Sequence, residues 1–132
     1  RANLHADLFR DNVLFEGAHL TGVIDFYNAC SGPMLYDVAI AVNDWCLCAD
    51  GALDLSRGRA LLGAYAARRP FHANEAELWP AMLRIACVRF WMSRLIAAEQ
   101  SSGPDVLVKN PQELYQRLAQ RQQVRLSLPL AL

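Results

Sequence analysis

The amino-acid sequence predicts an α+β fold, mainly α, in which a β-hairpin is followed by about four helices. Three observations predict it. Two β-rich runs near the start are separated by a short loop containing glycine. Apolar residues then recur at helical spacing from residue 34 onward. Capping residues or a proline stand at the head of the later segments.

The first β-rich run is residues 12–16 (NVLFE) and the second residues 20–26 (LTGVIDF), joined by Gly17, Ala18 and His19. Antiparallel pairing of the two brings Asn12 near Asp25, because these positions fall at corresponding strand ends. Residues 28–33 (NACSGP) read as a loop, with Pro33 as the first residue of a helix through MLYDVAIAVNDWCL. Met34, Val38, Val42 and Trp45 share one face of that helix and are expected to point inward. Residues 48–54 break the pattern with Gly51 and two aspartates, and Asp54 is placed to cap a second helix over residues 55–69. Asn74 with Glu77 forms a capping-box-like start for a long third helix ending near Gln100, and Pro80 is expected to kink it or mark its true start. Residues 101–105 read as a polar turn, and an amphipathic helix over residues 111–124 completes the fold. His19 and His72 read as surface residues, and Trp45, Trp79 and Trp91 as core.

A chain of 132 residues fits one domain, residues 1–132, without an internal repeat or linker. With 54% apolar and 20% charged residues it has the material for a core and is not expected to be disordered. Thirteen Lys plus Arg balance thirteen Asp plus Glu. That neutrality supplies no general attraction to nucleic acid or to anionic lipid, so neither is expected as a partner. Cys30, Cys46, Cys48 and Cys87 lack paired C-x-x-C spacing, which disfavours a zinc site or a disulfide scaffold and suits a reduced, cytoplasmic setting. No apolar run approaches the roughly 18 residues a membrane span needs. The absence of an initial methionine, and a motif arriving at the fifth residue, suggest a piece of a longer protein.

That motif is His5-Ala6-Asp7-Leu8-Phe9-Arg10-Asp11-Asn12, which matches H-x-D-x-x-x-x-N. At this spacing a phosphoryl-transfer loop places an aspartate to accept a hydroxyl proton and an asparagine to hold a metal ion. Spacing alone is weakly specific. Asp25 strengthens it, since it follows the apolar Gly22-Val23-Ile24 and precedes Phe26, as a metal-binding aspartate does at the end of such a strand. A phosphoryl group carries charge over several oxygens, and Mg2+ neutralises that charge when hard oxygen ligands hold it nearby. Asn12 and Asp25 are two such ligands, and Asp7 is the candidate base. His5 is better suited to bracing the loop by hydrogen bonding than to handling protons. Arg10 and Asp11, inside the loop, are candidates for contact with substrate or the γ-phosphate.

The runs HADLFRDNVLFEG and LTGVIDFYNACSGPMLYDVAIAVNDWC, with MLRIACVRFWMSRL at residues 82–95, closely resemble the C-terminal lobe of homoserine kinases of the aminoglycoside-phosphotransferase superfamily. The resemblance covers nearly the whole chain. It implies the C-lobe of a protein-kinase-like fold, ATP and Mg2+ as cofactors, and transfer to the side-chain hydroxyl of L-homoserine, a step towards threonine. It further implies Asp7 as the catalytic aspartate, Asn12 and Asp25 as metal ligands, and Asp37, in Gly32-Pro33-x-x-Tyr36-Asp37, as the buried brace of the catalytic loop. The family's N-lobe, with its glycine-rich loop and phosphate-binding lysine, has no counterpart in these residues. The missing N-lobe is therefore an expected partner, and this chain alone is expected to be inactive.

Substrate recognition is less defined. Asp44 is a candidate for the ammonium group of an amino-acid acceptor. Arg84, Arg89 and Arg94 are candidates for its carboxylate, with Arg89 preferred, since five-residue steps rotate about 140° round a helix and cannot bring all three to one pocket. Asn28, just after Asp25, is placed to line the acceptor site. Rival readings are a kinase for another small alcohol, such as choline, a methylthio sugar or an aminoglycoside, and a non-catalytic binding remnant.

Overall fold

The structure is a computed structural model that describes residues 1–100, 109–123 and 125–130. Its elements are β1 (Ala2–Leu4), β2 (Val13–Glu16), β3 (His19–Val23), β4 (Cys30–Gly32), α1 (Leu35–Trp45), α2 (Leu55–Ala66), α3 (Ala73–Gln100) and α4 (Pro111–Arg121). Single 3-10 turns occupy Arg10–Asn12 and Phe26–Asn28. The described residues thus form the expected α+β, mainly α arrangement of a hairpin followed by four helices.

The hairpin β2–β3 turns on two residues. Glu16 pairs with His19, so His19 belongs to the strand and only Gly17 and Ala18 lie outside it. Gly17 sits at φ +61°, where a side chain would be strained, which explains a glycine at the first loop position. The register slips between Leu14, which faces Gly22, and Phe15, which faces Leu20. Thr21 is the residue left over at this irregularity, and such an insertion adds local twist. At the open end the Asn12 carbonyl accepts the Ile24 N–H at 3.0 Å, so the strand ends meet as the alternating pattern requires.

Two further strands, β1 and β4, pair antiparallel with Ala2 opposite Gly32 and Leu4 opposite Cys30. They escape a sequence reading because three residues are too few to show a period of two. Their pairing ties the segment entering the His5–Asn12 loop to the segment leaving Asp25.

Helix α1 begins at Leu35, two residues after the expected Pro33. The proline carbonyl instead accepts the Tyr36 N–H at 3.0 Å, and Met34 is the cap. Leu35, Val38, Ala39, Ile40, Val42, Asn43 and Asp44 are all buried, whereas Met34 and Trp45 are half-buried. The helix is therefore central rather than one-faced, with α2 and α3 packed on it and α4 packed on α3.

Asp54 caps α2 as expected, its Oδ1 accepting from the Ser56 and Arg57 N–H groups at 3.0 Å each, though the helix stops at Ala66, short of residue 69. The head of α3 differs. Glu75, rather than Glu77, closes the capping box by accepting the His72 N–H at 3.0 Å, and the same carboxylate is fixed by Arg69 at 2.8 Å. Pro80 lies inside α3 and does not mark its start. Asn110 caps α4 through the Gln112 N–H at 2.9 Å, with Pro111 as the first helical residue. The expected turn at 101–105, and Val124 at the expected end of the last helix, lie outside the described residues.

A polar thread crosses the apolar core. Asn43 on α1 donates from Nδ2 to the Leu83 carbonyl of α3 at 2.8 Å, and its Oδ1 accepts from Nε of Arg121 on α4, also at 2.8 Å. Arg121 is only 2% exposed, so this amide replaces water for a buried charge. Asn43→Ala strips that acceptor and is expected to destabilise the fold by about 2–3 kcal/mol, read from the denaturant midpoint. An unchanged midpoint contradicts the assignment. Trp79 adds a similar tie from α3 to the C-terminal segment, its Nε1 donating to the Leu126 carbonyl at 2.8 Å. Among the described residues no helix is long and apolar enough to cross a membrane.

Candidate active site

The His5–Asn12 loop lies between β1 and the hairpin, and its backbone is held at almost every step. The Asp37 carboxylate of α1 accepts the His5 N–H at 2.7 Å with one oxygen and the Ala6 N–H at 2.8 Å with the other. Arg89 of α3 donates from Nη1 to the Ala6 carbonyl at 3.0 Å. The Asp7 N–H donates to Nδ1 of His5 at 3.2 Å, and the Asp7 carbonyl accepts from Nδ2 of Asn12 at 2.8 Å. Trp45 donates from Nε1 to the Leu8 carbonyl at 3.0 Å, and Asp44 accepts the Arg10 N–H at 2.9 Å. These partners come from elements up to 83 positions away in the chain, so the loop takes its shape from the fold.

That shape is strained where it matters. Ala6 at φ +61° and Asp25 at φ +62° are the non-glycine residues with positive φ among those described, and each such conformation costs on the order of 1–3 kcal/mol. Ala6 is followed by Asp7, and Asp25 is reached directly after Ile24, whose carbonyl bonds Nε2 of His5 at 2.8 Å. Since Nδ1 of His5 accepts from Asp7, Nε2 carries the proton and donates to Ile24, which fixes one neutral tautomer. The ring also packs on Phe26 with centroids 4.6 Å apart. His5 therefore links the loop of Asp7 to the turn of Asp25, with both of its nitrogens engaged.

Asp7, Asp25, Asn12, Asp11, Asn28 and Arg89 line one cleft of about 290 Å³. Asn12 also approaches Oδ2 of Asp7 with Nδ2 at 3.4 Å, which directs its amide nitrogen to Asp7 and leaves Oδ1 for another partner. Burial pushes the Asp7 carboxyl above its ordinary range; Arg89 opposes this, Asp25 adds to it, and the hydrogen bond from Asn12 opposes it. A carboxyl whose folded pKa is raised weakens the folded state once it ionises: the stability present below its unfolded value is lost as pH rises through the folded value. Asp7→Asn should therefore raise the thermal midpoint at neutral pH in the absence of nucleotide and metal. The difference should shrink as pH falls towards the ordinary Asp value of 3.8. Equal midpoints at neutral pH would contradict this.

Other expected site residues lie elsewhere. Asp44 is buried behind the loop, bonded at Oδ2 by the Arg10 N–H and by Arg10 Nε at 3.2 Å, with Arg117 4.0 Å from its other oxygen. Arg10 follows Asp44 and lines a separate polar cleft of about 550 Å³ with Arg57, Arg117 and Glu113. Neither faces the Asp7 cleft. An apolar groove of similar volume, lined by Leu8, Val38, Trp45 and Tyr65, has Asp37 at its wall and also excludes Asp7. Arg84 is exposed, while Arg94 reaches the cleft wall and bonds the Asn110 carbonyl at 3.1 Å.

Sequence reasoning missed Lys109 and Phe90. Lys109 bonds Asp11 at 2.8 Å across the cleft rim and lowers that carboxyl's pKa, and Phe90 meets Phe9 edge-on at 4.6 Å. Lys109 stands 98 positions from Asp11, and no local pattern announces such a pair.

The donor set suits a hard divalent cation. Among the described residues no group of three His, Cys, Asp or Glu side chains gathers to form an all-protein cage. Mg2+ does not require one, since it commonly keeps its waters and takes one or two protein oxygens beside substrate phosphates. Oδ1 of Asn12 and the exposed carboxylate of Asp25 fit that pattern.

Comparison with known proteins gives the family. The model of the phosphotransferase enzyme family matches residues 1–71. The chain is 71% identical over all its 132 residues to a homoserine kinase of Pseudomonas aeruginosa (strain UCBPP-PA14), of which it covers 42%. It is 60% identical over 95 residues, 72% of this chain and 30% of the relative, to a homoserine kinase of Methylobacillus flagellatus. A homoserine kinase of Neisseria meningitidis serogroup B is 46% identical over 109 residues, 82% of this chain and 36% of the relative. The chain thus spans less than half the length of these relatives, and its mainly helical body with small antiparallel strand pairs is that of a kinase-like C-lobe. The family match covers more than half of the chain and includes the whole Asp7 loop and hairpin, so this chain belongs to the phosphotransferase enzyme family.

Proposed function

We propose that the full-length protein containing this chain transfers the γ-phosphoryl group of ATP to the side-chain hydroxyl of L-homoserine, with Asp7 as the base. The observation that carries the reading is the convergence of Asp7, Asn12 and Asp25 on one cleft, with Asp7 and Asn12 hydrogen-bonded across a fully anchored loop. Phosphoryl transfer depends chiefly on positioning and on stabilising charge, and this loop supplies the positioning.

In this reading the acceptor hydroxyl lies against the Asp7 carboxylate. Its oxygen forms the new bond to phosphorus as the bond from the γ-phosphorus to the bridging oxygen breaks. The proton passes to Asp7 and ADP leaves. Asn12 and Asp25 would hold Mg2+, which supplies charge neutralisation to the phosphate oxygens. The raised pKa of Asp7 favours acceptance of a proton, while Asn12 keeps the carboxylate aimed.

Homoserine is favoured as acceptor by the names of the relatives, 46–71% identical to this chain. The test is a panel of alcohols offered to the full-length protein with Mg-ATP. ADP release with L-homoserine is expected to exceed that with choline, a methylthio sugar or an aminoglycoside by about tenfold or more in kcat/KM, a margin of roughly 1.4 kcal/mol. Parity across the panel would reject homoserine while leaving the chemistry intact.

The 132 residues alone are expected to be inactive. Leu14, Phe15, Leu20, Ile24 and Phe26 are 45–58% exposed on and beside the hairpin, an apolar surface of the kind another part of a protein covers. They also supply no glycine-rich loop over the phosphates.

A further inference from the structure

Helix α3 touches the Asp7 loop at consecutive residues. Arg89 bonds the Ala6 carbonyl, on one side of Asp7, and Phe90 packs against Phe9, on the other. The Arg89 guanidinium is engaged further: it lies 4.4 Å over the Phe90 ring.

The contact with Ala6 falls where the loop is strained. A residue's φ and ψ are the rotations of the two peptide units that flank it. The unit before Ala6 is held through its N–H by Asp37. The unit after Ala6 is held through its carbonyl by Arg89 and through the Asp7 N–H by His5. Ala6, 2% exposed and left-handed, thus has both flanking peptides fixed by side chains, and the second of them carries Asp7. An arginine suits this task because its planar fork can hold a carbonyl while its face stacks on an aromatic ring.

We propose that Arg89 is a positioning residue for Asp7, clamping the strained Ala6–Asp7 peptide and so aiming the carboxylate, rather than a ligand for the acceptor's carboxylate. The inference rests on the reading of Asp7 as the base. It differs from a role in substrate binding because the guanidinium's observed partners are the Ala6 carbonyl of the loop and the Phe90 ring.

The test uses the full-length protein and three variants. Arg89→Gln is expected to lower kcat on the order of 10²-fold, the cost of a small misplacement of a reacting group, with KM for nucleotide and acceptor near the parent values. Arg89→Lys, which keeps the charge but not the fork, is expected to recover only part of that loss. A raised KM for the acceptor with unchanged kcat would overturn the proposal and assign Arg89 to the substrate. Parent-like kcat in Arg89→Lys would also overturn it, and that variant carries the test alone if Arg89→Gln does not fold. Asp7→Ala separates the two levels: if it retains activity, the reading of the base fails, whereas an inactive Asp7→Ala beside a fully active Arg89→Gln rejects only the clamp.

Discussion

Replacing Asp7 by alanine in the full-length protein is expected to lower kcat by about 10²- to 10⁴-fold, with the affinity for magnesium-nucleotide little changed. In the proposed reading the base and the metal ligands are different residues. Asp7 is bonded to Asn12 through the amide nitrogen, so losing the Asp7 carboxylate leaves Oδ1 of Asn12 and the Asp25 carboxylate free to act. Asp25→Ala should show the opposite pattern and weaken magnesium-nucleotide binding. Steady-state kinetics at varied Mg-ATP distinguish the two. Near-normal kcat in Asp7→Ala would remove the base from the mechanism.

Asp37→Ala is expected to be the most damaging change for the fold of the site. Each Asp37 oxygen accepts one backbone N–H, from His5 at 2.7 Å and from Ala6 at 2.8 Å, and both donors belong to buried residues. Hydrogen bonds to a charged acceptor contribute about 1.5–3 kcal/mol each, so losing both costs about 3–6 kcal/mol, a large share of a domain's total of about 5–15 kcal/mol. Ala6 would then have little reason to remain left-handed. Asp37→Asn should fare almost as badly, because its amide nitrogen would face one of the two N–H donors. Denaturant midpoints and kcat should fall together in both variants. A parent-like midpoint in Asp37→Ala would show that the loop holds itself.

Much of this was legible in the sequence. The hairpin follows from NVLFE and LTGVIDF around Gly17, and the cap of α2 from Asp54. Asp7, Asn12 and Asp25 were gathered by motif spacing, and the structure does bring them to one cleft. Asp37, which the family resemblance implies as a brace, accepts the His5 and Ala6 N–H groups. Less legible was anything decided by contacts distant in sequence. Asp44 looked free for an ammonium group, yet Arg10 occupies it across 34 positions. Arg89 looked free for a carboxylate, yet its partner is a carbonyl 83 positions away. Motif spacing names residue types and cannot show which charges are already satisfied. The head of α3 illustrates a second limit: Asn74 with Glu77 fits the capping pattern on paper, yet Glu75 takes the His72 N–H while the Arg69 ion pair fixes it.

In the proposed reading this constellation moves a phosphoryl group from ATP to the homoserine hydroxyl. Phosphorus NMR of the full-length protein with Mg-ATP and L-homoserine tests it most directly. A phosphomonoester resonance is expected to grow in step with ADP and to be nearly absent with Asp7→Ala. ADP without a phosphomonoester, or equal growth in the variant, would contradict it.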